Sequence, residues 1–173
     1  PDFIKNSAID AINQNYNSYT PVDGYLELKE AICKEFHRDN KIIYNPNQIV
    51  VSTGAKQSIA NVVQALIKPG EEVILLAPFW VSYSAIVLMA DGIPKILKSD
   101  ISNDFKVSAK QIDDAISEKT KMIIINSPNN PSGSIYNEKE LYEIASVIKK
   151  YPNVFVLSDE IYEHINYGTK HVS

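Results

Sequence analysis

The chain has 173 residues, of which 45% are hydrophobic and 22% charged, and its formal net charge at pH 7 is −4. These values are ordinary for a globular domain with a buried core, and the lack of a basic stripe with interleaved aromatics argues against nucleic acid as the main partner. The single cysteine, Cys33, excludes an internal disulfide, and no apolar run reaches the roughly 20 residues that span a bilayer. No signal-peptide pattern appears, so we expect a cytoplasmic protein with no membrane partner.

The predicted elements begin with a helical region and then alternate between strand and helix. Leu28, Ile32 and Phe36 recur at three-to-four spacing, which predicts an amphipathic helix. After it, in chain order, we predict a strand at 48–53, a helix at 56–67, a strand at 71–78, a helix at 81–92, a strand at 94–99, a helix at 108–117, a strand at 121–126, a helix at 137–151 and a strand at 154–160. Ser108 and Gln111 predict a capping box at the start of the third of these helices.

Short apolar strands that alternate with helices indicate an α/β fold, a doubly wound and mostly parallel sheet with helices on both faces. We divide the chain into an N-terminal helical segment, residues 1–40, and an α/β core, residues 41–173. The chain starts with Pro1 and stops without a closing element, so we expect it to be incomplete at both ends.

Polar stretches follow four of the predicted strands, where ligands of parallel sheets bind. The first, "STGAKQ", turns into a helix through Gly54 and Ala55 and leaves backbone N–H groups free for an anion such as phosphate. It matches neither the GxxxxGK[ST] nor the GxGxxG pattern, and a purely structural turn explains it as well. The second, "APFW", places Trp80 where its ring either caps the core or stacks on a planar ligand.

The other two stretches carry a carboxylate and amides. Asp159 leaves an apolar strand, so it needs a salt bridge, a helix N-cap role, or a cationic ligand such as a protonated ring nitrogen. Tyr162 either packs or donates a hydrogen bond to a ring oxygen. In "NSPNNPSG", two prolines and a glycine predict a rigid turn that aims the amide of Asn130 away from the strand end.

Together these stretches resemble the fold-type I aminotransferases that use pyridoxal 5′-phosphate (PLP), specifically the bacterial aspartate aminotransferase branch of class I. "NSPNNPSG" is similar to the N-P-[ST]-G stretch of that family, "SDEIY" to its D-x-x-Y stretch, "APFWVSY" to its ring-stacking aromatic, and "YTPVDGYLELKEAI" to its Y-x-x-x-x-G-x-x-x-L-[RK] segment. The resemblance covers essentially the whole chain and implies a truncated large domain of the PLP-dependent transferase fold.

The resemblance also implies residue roles. Asp159 would pair with the pyridine nitrogen, Asn130 and Tyr162 would bind the phenolic oxygen, and Trp80 would stack on the ring. The complete set of implied cofactor-binding residues is Gly54, Ala55, Lys56, Trp80, Asn130, Asp159, Tyr162 and, toward the neighbouring subunit, Tyr19. The last role implies a homodimer. Substrate contacts are implied for Lys56, Trp80 and Asn130, with Lys56 near the distal carboxylate of aspartate or glutamate, although a solvated lysine at a helix start also fits.

Some family residues have no match here. The lysine that forms the Schiff base should lie a few tens of residues beyond Asp159, and Lys170 is only eleven residues on in an unrelated context. The only arginine, Arg38, stands at a polar helix end and does not match the clamp for the substrate α-carboxylate. We therefore assign no catalytic residue and no metal ligand, and expect that the chain alone does not transaminate.

Three alternatives to an aspartate aminotransferase stay open. Carbon–sulfur lyases, cyclopropane-forming synthases and other amino-acid aminotransferases share these motifs. Aminotransferase-like domains also serve as ligand sensors in some transcriptional regulators, which would need a basic winged-helix segment upstream. An α/β domain without a cofactor is the remaining alternative, but it leaves the four polar strand ends unexplained.

Overall fold

The computed structural model describes residues 1–165, 167–168 and 171–173, so Lys170 lies outside the described residues. Within them the chain forms two compact units, residues 1–52 and residues 53–173. The division that we drew from the sequence at residue 40 stays a prediction. None of the helices described is long and apolar enough to cross a membrane.

The first unit is helical. Helix α1 spans Asp2–Asn13 and helix α2 spans Leu26–Glu35, which confirms the predicted helix over Leu28 and Ile32, while Phe36 begins the next turn. α2 continues into a π-helical turn, Phe36–Asn40, where the Arg38 guanidinium binds the carboxylate of the adjacent Asp39 at 2.5 and 2.6 Å.

The strand predicted at residues 48–53 is wrong. A short 3₁₀ turn occupies Pro46–Gln48, and Ile49 is extended (φ −108°, ψ 131°) without belonging to a sheet. The Val51 N–H donates to the Asp23 carbonyl at 3.1 Å rather than to a neighbouring strand. Apolar, β-branched composition favours an extended backbone, but a strand also needs a ladder partner, and the described residues supply none here.

The second unit contains a four-stranded sheet with strand order β2-β1-β3-β4, in which every neighbouring pair is parallel. The strands are β1 (Glu72–Ala77), β2 (Ile93–Lys98), β3 (Thr120–Asn126) and β4 (Phe155–Asp159). The helices are α3 (Ala55–Leu66), α4 (Ser82–Met89), α5 (Ala109–Ala115) and α6 (Glu138–Ile148). The predicted α/β fold with a parallel sheet is confirmed. The carboxyl ends of β1, β3 and β4 therefore meet at one edge of the sheet.

The central strands send alternate side chains into two separate cores, as the period of two requires. Leu75 of β1 and Ile124 of β3 pack with side chains of α3 and α4. Ile74 and Ile123, one position earlier, pack with side chains of α5 and α6 on the other face. Because both faces are covered, β1 and β3 read as continuous apolar runs in the sequence.

The helix starts explain part of the order of this unit. At α5, Ser108 accepts from the Gln111 N–H while the Gln111 side chain accepts from the Ser108 N–H at 2.9 Å, which confirms the predicted capping box. Asn137 and Glu140 form the same reciprocal pair at α6. Each cap contributes about 1 kcal/mol.

Candidate functional site

A cavity of about 350 Å³ lies at the carboxyl edge of the sheet in the second unit. Seven of the eight residues that the sequence proposed for a cofactor line it: Gly54, Ala55, Lys56, Trp80, Asn130, Asp159 and Tyr162. The structure adds Tyr83, Asn126 and Ile161 to the lining. Tyr19 belongs to the first unit, where its side chain is fully exposed, and its role stays a prediction.

A larger groove, of about 600 Å³, lies between α6 and β4. Aliphatic side chains such as Leu141, Ile148 and Val156 form much of its wall. The smaller cavity is the better candidate because a charged group, amides, hydroxyls and a helix N-terminus converge in it.

One end of the cavity is the N-terminus of α3. Gly54 precedes the helix with φ +84° and ψ 161°, a conformation that is essentially restricted to glycine. No side chain in the described part of the chain caps this helix, while the preceding N–H, of Thr53, is bound by the Gln57 side chain at 2.6 Å. The first backbone N–H groups of the helix are therefore available, and the helix dipole makes this end favourable for an anion.

Trp80 follows β1 and forms one wall of the cavity. Its ring meets the ring of Tyr83 edge-on, with centroids 5.6 Å apart and planes at 90°. The Lys56 ammonium lies 5.0 Å from the centroid of the indole, within cation–π range. Two residues that the sequence assigned to the substrate are thus neighbours at the rim of the cavity.

Asp159, the last residue of β4, is 9% exposed. Its Oδ2 accepts a hydrogen bond from the Tyr83 hydroxyl at 2.6 Å, and its Oδ1 accepts from the Ile161 N–H at 3.2 Å. No lysine, arginine or histidine among the described residues pairs with it, so the salt bridge considered from the sequence is not formed there. The turn-type bond to Ile161 resembles the N-cap alternative, but it leaves the charge itself uncompensated.

Asn126, the last residue of β3, joins two of the predicted site residues. Its Nδ2 donates to the Asp159 carbonyl at 2.9 Å, and its Oδ1 accepts from the Asn130 N–H at 2.8 Å. The side chain is 6% exposed. The turn that carries Asn130 is consequently fixed to the end of β4.

The remaining asparagine of "NSPNNPSG" fixes the same turn from another side. The Asn129 amide donates to the Pro78 carbonyl at 3.1 Å, and its oxygen accepts from the Ser132 N–H at 3.1 Å. Within the described part of the chain, the Asn130 carboxamide and the Tyr162 hydroxyl make no hydrogen bond, and both residues line the cavity. The amides of Asn126 and Asn129 thus hold the turn in place, and the amide of Asn130 is available to a ligand.

Tyr83 and Asn126 are the polar residues of the cavity lining that the sequence analysis did not assign. Tyr83 is 2% exposed, and burial raises the pKa of its phenol far above the ordinary value, with the bond to Asp159 adding to the effect. Its position three residues after Trp80, on the first turn of α4, was the available signal for a second aromatic at the site.

Comparison with known proteins shows the family to which the chain is similar. The family model described as "Aminotransferase class I and II" matches residues 1–173. The chain is 46% identical over 170 residues to the aspartate/prephenate aminotransferase of Nitrosomonas europaea, covering 95% of this chain and 43% of the relative. It is 48% identical over 167 residues to a probable aspartate/prephenate aminotransferase of Rickettsia felis, covering 96% of this chain and 41% of the relative.

The fold matches as well. The crystal structure of the aspartate aminotransferase from Rhizobium meliloti superimposes with a TM-score of 0.97 at 40% identity, covering 100% of this chain and 44% of that one. The chain therefore spans about two fifths of the length of the relatives that it matches.

Proposed function

Because the chain belongs to the class I and II aminotransferase family, we propose that the cavity at the carboxyl edge of its sheet holds PLP. The whole protein that contains these residues would be an aminotransferase that moves an amino group between aspartate or glutamate and a 2-oxo acid. The observation that carries the proposal is Asp159, a buried carboxylate with hydrogen-bond donors but no cationic partner among the described residues.

The groups around the cavity fit the cofactor. PLP has an anionic phosphate at one end and a basic ring nitrogen at the other. The uncapped start of α3 suits the phosphate, and Asp159 suits the protonated nitrogen. Asn130 and Tyr162 offer uncommitted amide and hydroxyl groups for the phenolic oxygen, and Trp80 offers a ring face.

When bound, PLP supplies an electron sink for the carbon that loses its proton. The residues of this chain hold and orient it. Asp159 would hold the ring nitrogen in its protonated form, and the Asn130 amide and the Tyr162 hydroxyl would donate to the phenolic oxygen. The base that moves the substrate proton is assigned to no residue of this chain.

The proposed substrates are dicarboxylic. Lys56 provides a cation at the cavity rim beside Trp80, where the distal carboxylate of aspartate or glutamate would bind. The names of the two relatives add prephenate, a dicarboxylic 2-oxo acid, as an acceptor to be tested. As part of the proposal, the whole protein is a cytoplasmic homodimer in which Tyr19 reaches the phosphate of the neighbouring subunit.

The test is a PLP titration of the whole protein, followed by absorbance and equilibrium dialysis. Asp159→Asn should weaken binding about ten- to one-hundredfold, the value of a hydrogen bond to a charged group. Asp113→Asn is the matched control, because Asp113 is an aspartate of α5 that binds Lys150 and Tyr151 on the surface. Absence of saturable binding in the whole protein, or equal effects of both variants, would refute the proposal. Amino-group transfer from aspartate and glutamate to 2-oxoglutarate, oxaloacetate and prephenate would then define the substrates.

A further inference from the structure

The Tyr83 hydroxyl and the Asp159 carboxylate form a buried contact between residues 76 positions apart in the chain. The two side chains are 2% and 9% exposed, and the oxygens are 2.6 Å apart. A charge-assisted hydrogen bond of this length belongs to the stronger class of hydrogen bonds in proteins.

We propose that Tyr83 is a positioning residue of the site: its hydroxyl holds the Asp159 carboxylate in the one orientation that meets the ring nitrogen of bound PLP. The inference rests on the proposed function and deepens it. Tyr83 acts through Asp159 and is not assigned a contact with the cofactor.

Tyr83 is itself held rigidly. It belongs to the core between the sheet and helices α3 and α4. Its ring stacks beside Phe79, with centroids 6.3 Å apart, and meets Trp80 edge-on at 5.6 Å. One side chain thus contacts both Trp80 and the Asp159 carboxylate, so the spacing of these two groups depends on Tyr83.

The direction of the hydrogen bond is fixed by chemistry. Since burial raises the pKa of the Tyr83 phenol, the proton stays on the phenol throughout the range of an ordinary binding assay. The carboxylate is therefore the acceptor. A carboxylate has about four lone-pair sites, and the bonds from Tyr83 and Ile161 occupy two of them, so lone pairs remain for a cationic ligand.

The experiment uses the whole protein, stripped of cofactor, with two probes. One is PLP, and the other is its carbocyclic analogue, in which a C–H group replaces the ring nitrogen. Dissociation constants are measured for the wild type, Tyr83→Phe, Asp159→Asn and the double variant. Tyr136→Phe is the matched control, because Tyr136 is also a buried tyrosine, but its hydroxyl binds the Val107 backbone in the other core.

If Tyr83 acts through Asp159 on the ring nitrogen, Tyr83→Phe weakens PLP binding about five- to thirtyfold, less than Asp159→Asn does, because the carboxylate is kept and loses only one of the donors that orient it. Binding of the analogue stays within about twofold, since there is no nitrogen for the carboxylate to meet, and Tyr83→Phe has no further effect in the Asp159→Asn background. The Tyr136→Phe variant binds both probes as the wild type does.

A purely structural role for Tyr83 would give a different result, with both probes weakened equally or neither affected, and either outcome overturns the inference. If Tyr83→Phe does not fold, 3-fluorotyrosine at position 83 keeps the ring and strengthens the donor, and it should change the affinity for PLP but not for the analogue. Failure of the wild type to bind PLP would instead refute the proposed function. The role of Tyr83 alone would be refuted if the wild type binds PLP and Asp159→Asn weakens binding of PLP but not of the analogue, while Tyr83→Phe does not affect the two probes differently.

Discussion

Replacing Asn126 with alanine should loosen the end of β3 from the end of β4. The Asn126 carboxamide is buried and makes two hydrogen bonds, to the Asp159 carbonyl at 2.9 Å and from the Asn130 N–H at 2.8 Å. Alanine removes both while leaving the backbone of the strand unchanged. The site residues on either side then lose their common support.

The expected loss follows from what remains after the substitution. The Asp159 carbonyl keeps a hydrogen bond from the Ser127 N–H at 3.3 Å, so losing the bond from Asn126 destabilises it only slightly. The Asn130 N–H loses the partner that the structure shows for it. With about 1–3 kcal/mol for each buried group left unpaired, Asn126→Ala should lower the free energy of unfolding by about 2–4 kcal/mol.

Urea unfolding at 25 °C measures this value by linear extrapolation. Trp80 is the only tryptophan of this chain, so its fluorescence reports the environment of the cavity directly, and circular dichroism reports the helices. Asn153→Ala, at an exposed position before β4, is the matched control and should stay within about 0.5 kcal/mol of the wild type.

Asn126→Asp sharpens the test. An ionised carboxylate at this position still accepts from the Asn130 N–H but repels the Asp159 carbonyl, whereas a protonated carboxyl restores a donor. The variant should therefore be least stable near pH 7 and regain stability as the pH falls toward 5. The reasoning is refuted if Asn126→Ala unfolds within about 0.5 kcal/mol of the wild type, or if the loss in Asn126→Asp does not depend on pH.

Three further predictions concern other parts of the second unit. Burial raises the pKa of Tyr136 to about 12, so folding favours the neutral phenol. Its contribution to the free energy of unfolding, on the order of 2–3 kcal/mol, is complete below pH 10 and is lost between about pH 10 and 12. Stability should therefore fall less steeply with rising pH in Tyr136→Phe. A Cβ added at Gly54 would meet no atom within 4 Å, but the backbone φ of +84° there disfavours any side chain. Gly54→Ala should therefore lower the free energy of unfolding by about 1–3 kcal/mol and weaken PLP binding. Unchanged stability would contradict the strain argument. The hydrogen bond from Ser117, with help from Lys95, lowers the pKa of Glu72. The contribution of Glu72 to stability is therefore present above the pKa of the unfolded state and is lost as the pH falls through the pKa of the folded state. Glu72→Gln should lose stability less steeply below about pH 5, and an unchanged acid transition would contradict this.

The sequence predicts the centre of the second unit well because its two central strands, β1 and β3, are buried on both faces. The apolar part of β3 has no polar face for solvent, so its composition alone indicates a central parallel strand. The capping box at Ser108 is equally local, since both partners lie within four residues. Residues 48–53 show the limit: their composition favours an extended backbone, but strand formation depends on a partner far away in the chain.

The same distinction between local and distant information separates the predicted site residues from the missed ones. Trp80, Asn130 and Asp159 lie at or just after the ends of β1, β3 and β4, which the alternation of elements reveals. Tyr83 and Asn126 are hydrogen-bonded to Asp159, which lies 76 and 33 residues away in the sequence, and such contacts leave no pattern in neighbouring residues. From the sequence, Asp159 was compatible with a salt bridge, a cap or a cationic ligand, and only the packed structure shows that no cation of the described chain reaches it.

The charge of Asp159 connects stability with function. Neutral donors stabilise a buried anion but do not neutralise it, so its burial carries an electrostatic cost that a protonated ring nitrogen would remove. Ligand that binds only the folded state raises stability by RT ln(1 + [L]/Kd), about 2.7 kcal/mol at one hundred times Kd. PLP should therefore stabilise the wild type more than Asp159→Asn at the same concentration, because the variant has less charge to compensate and binds more weakly.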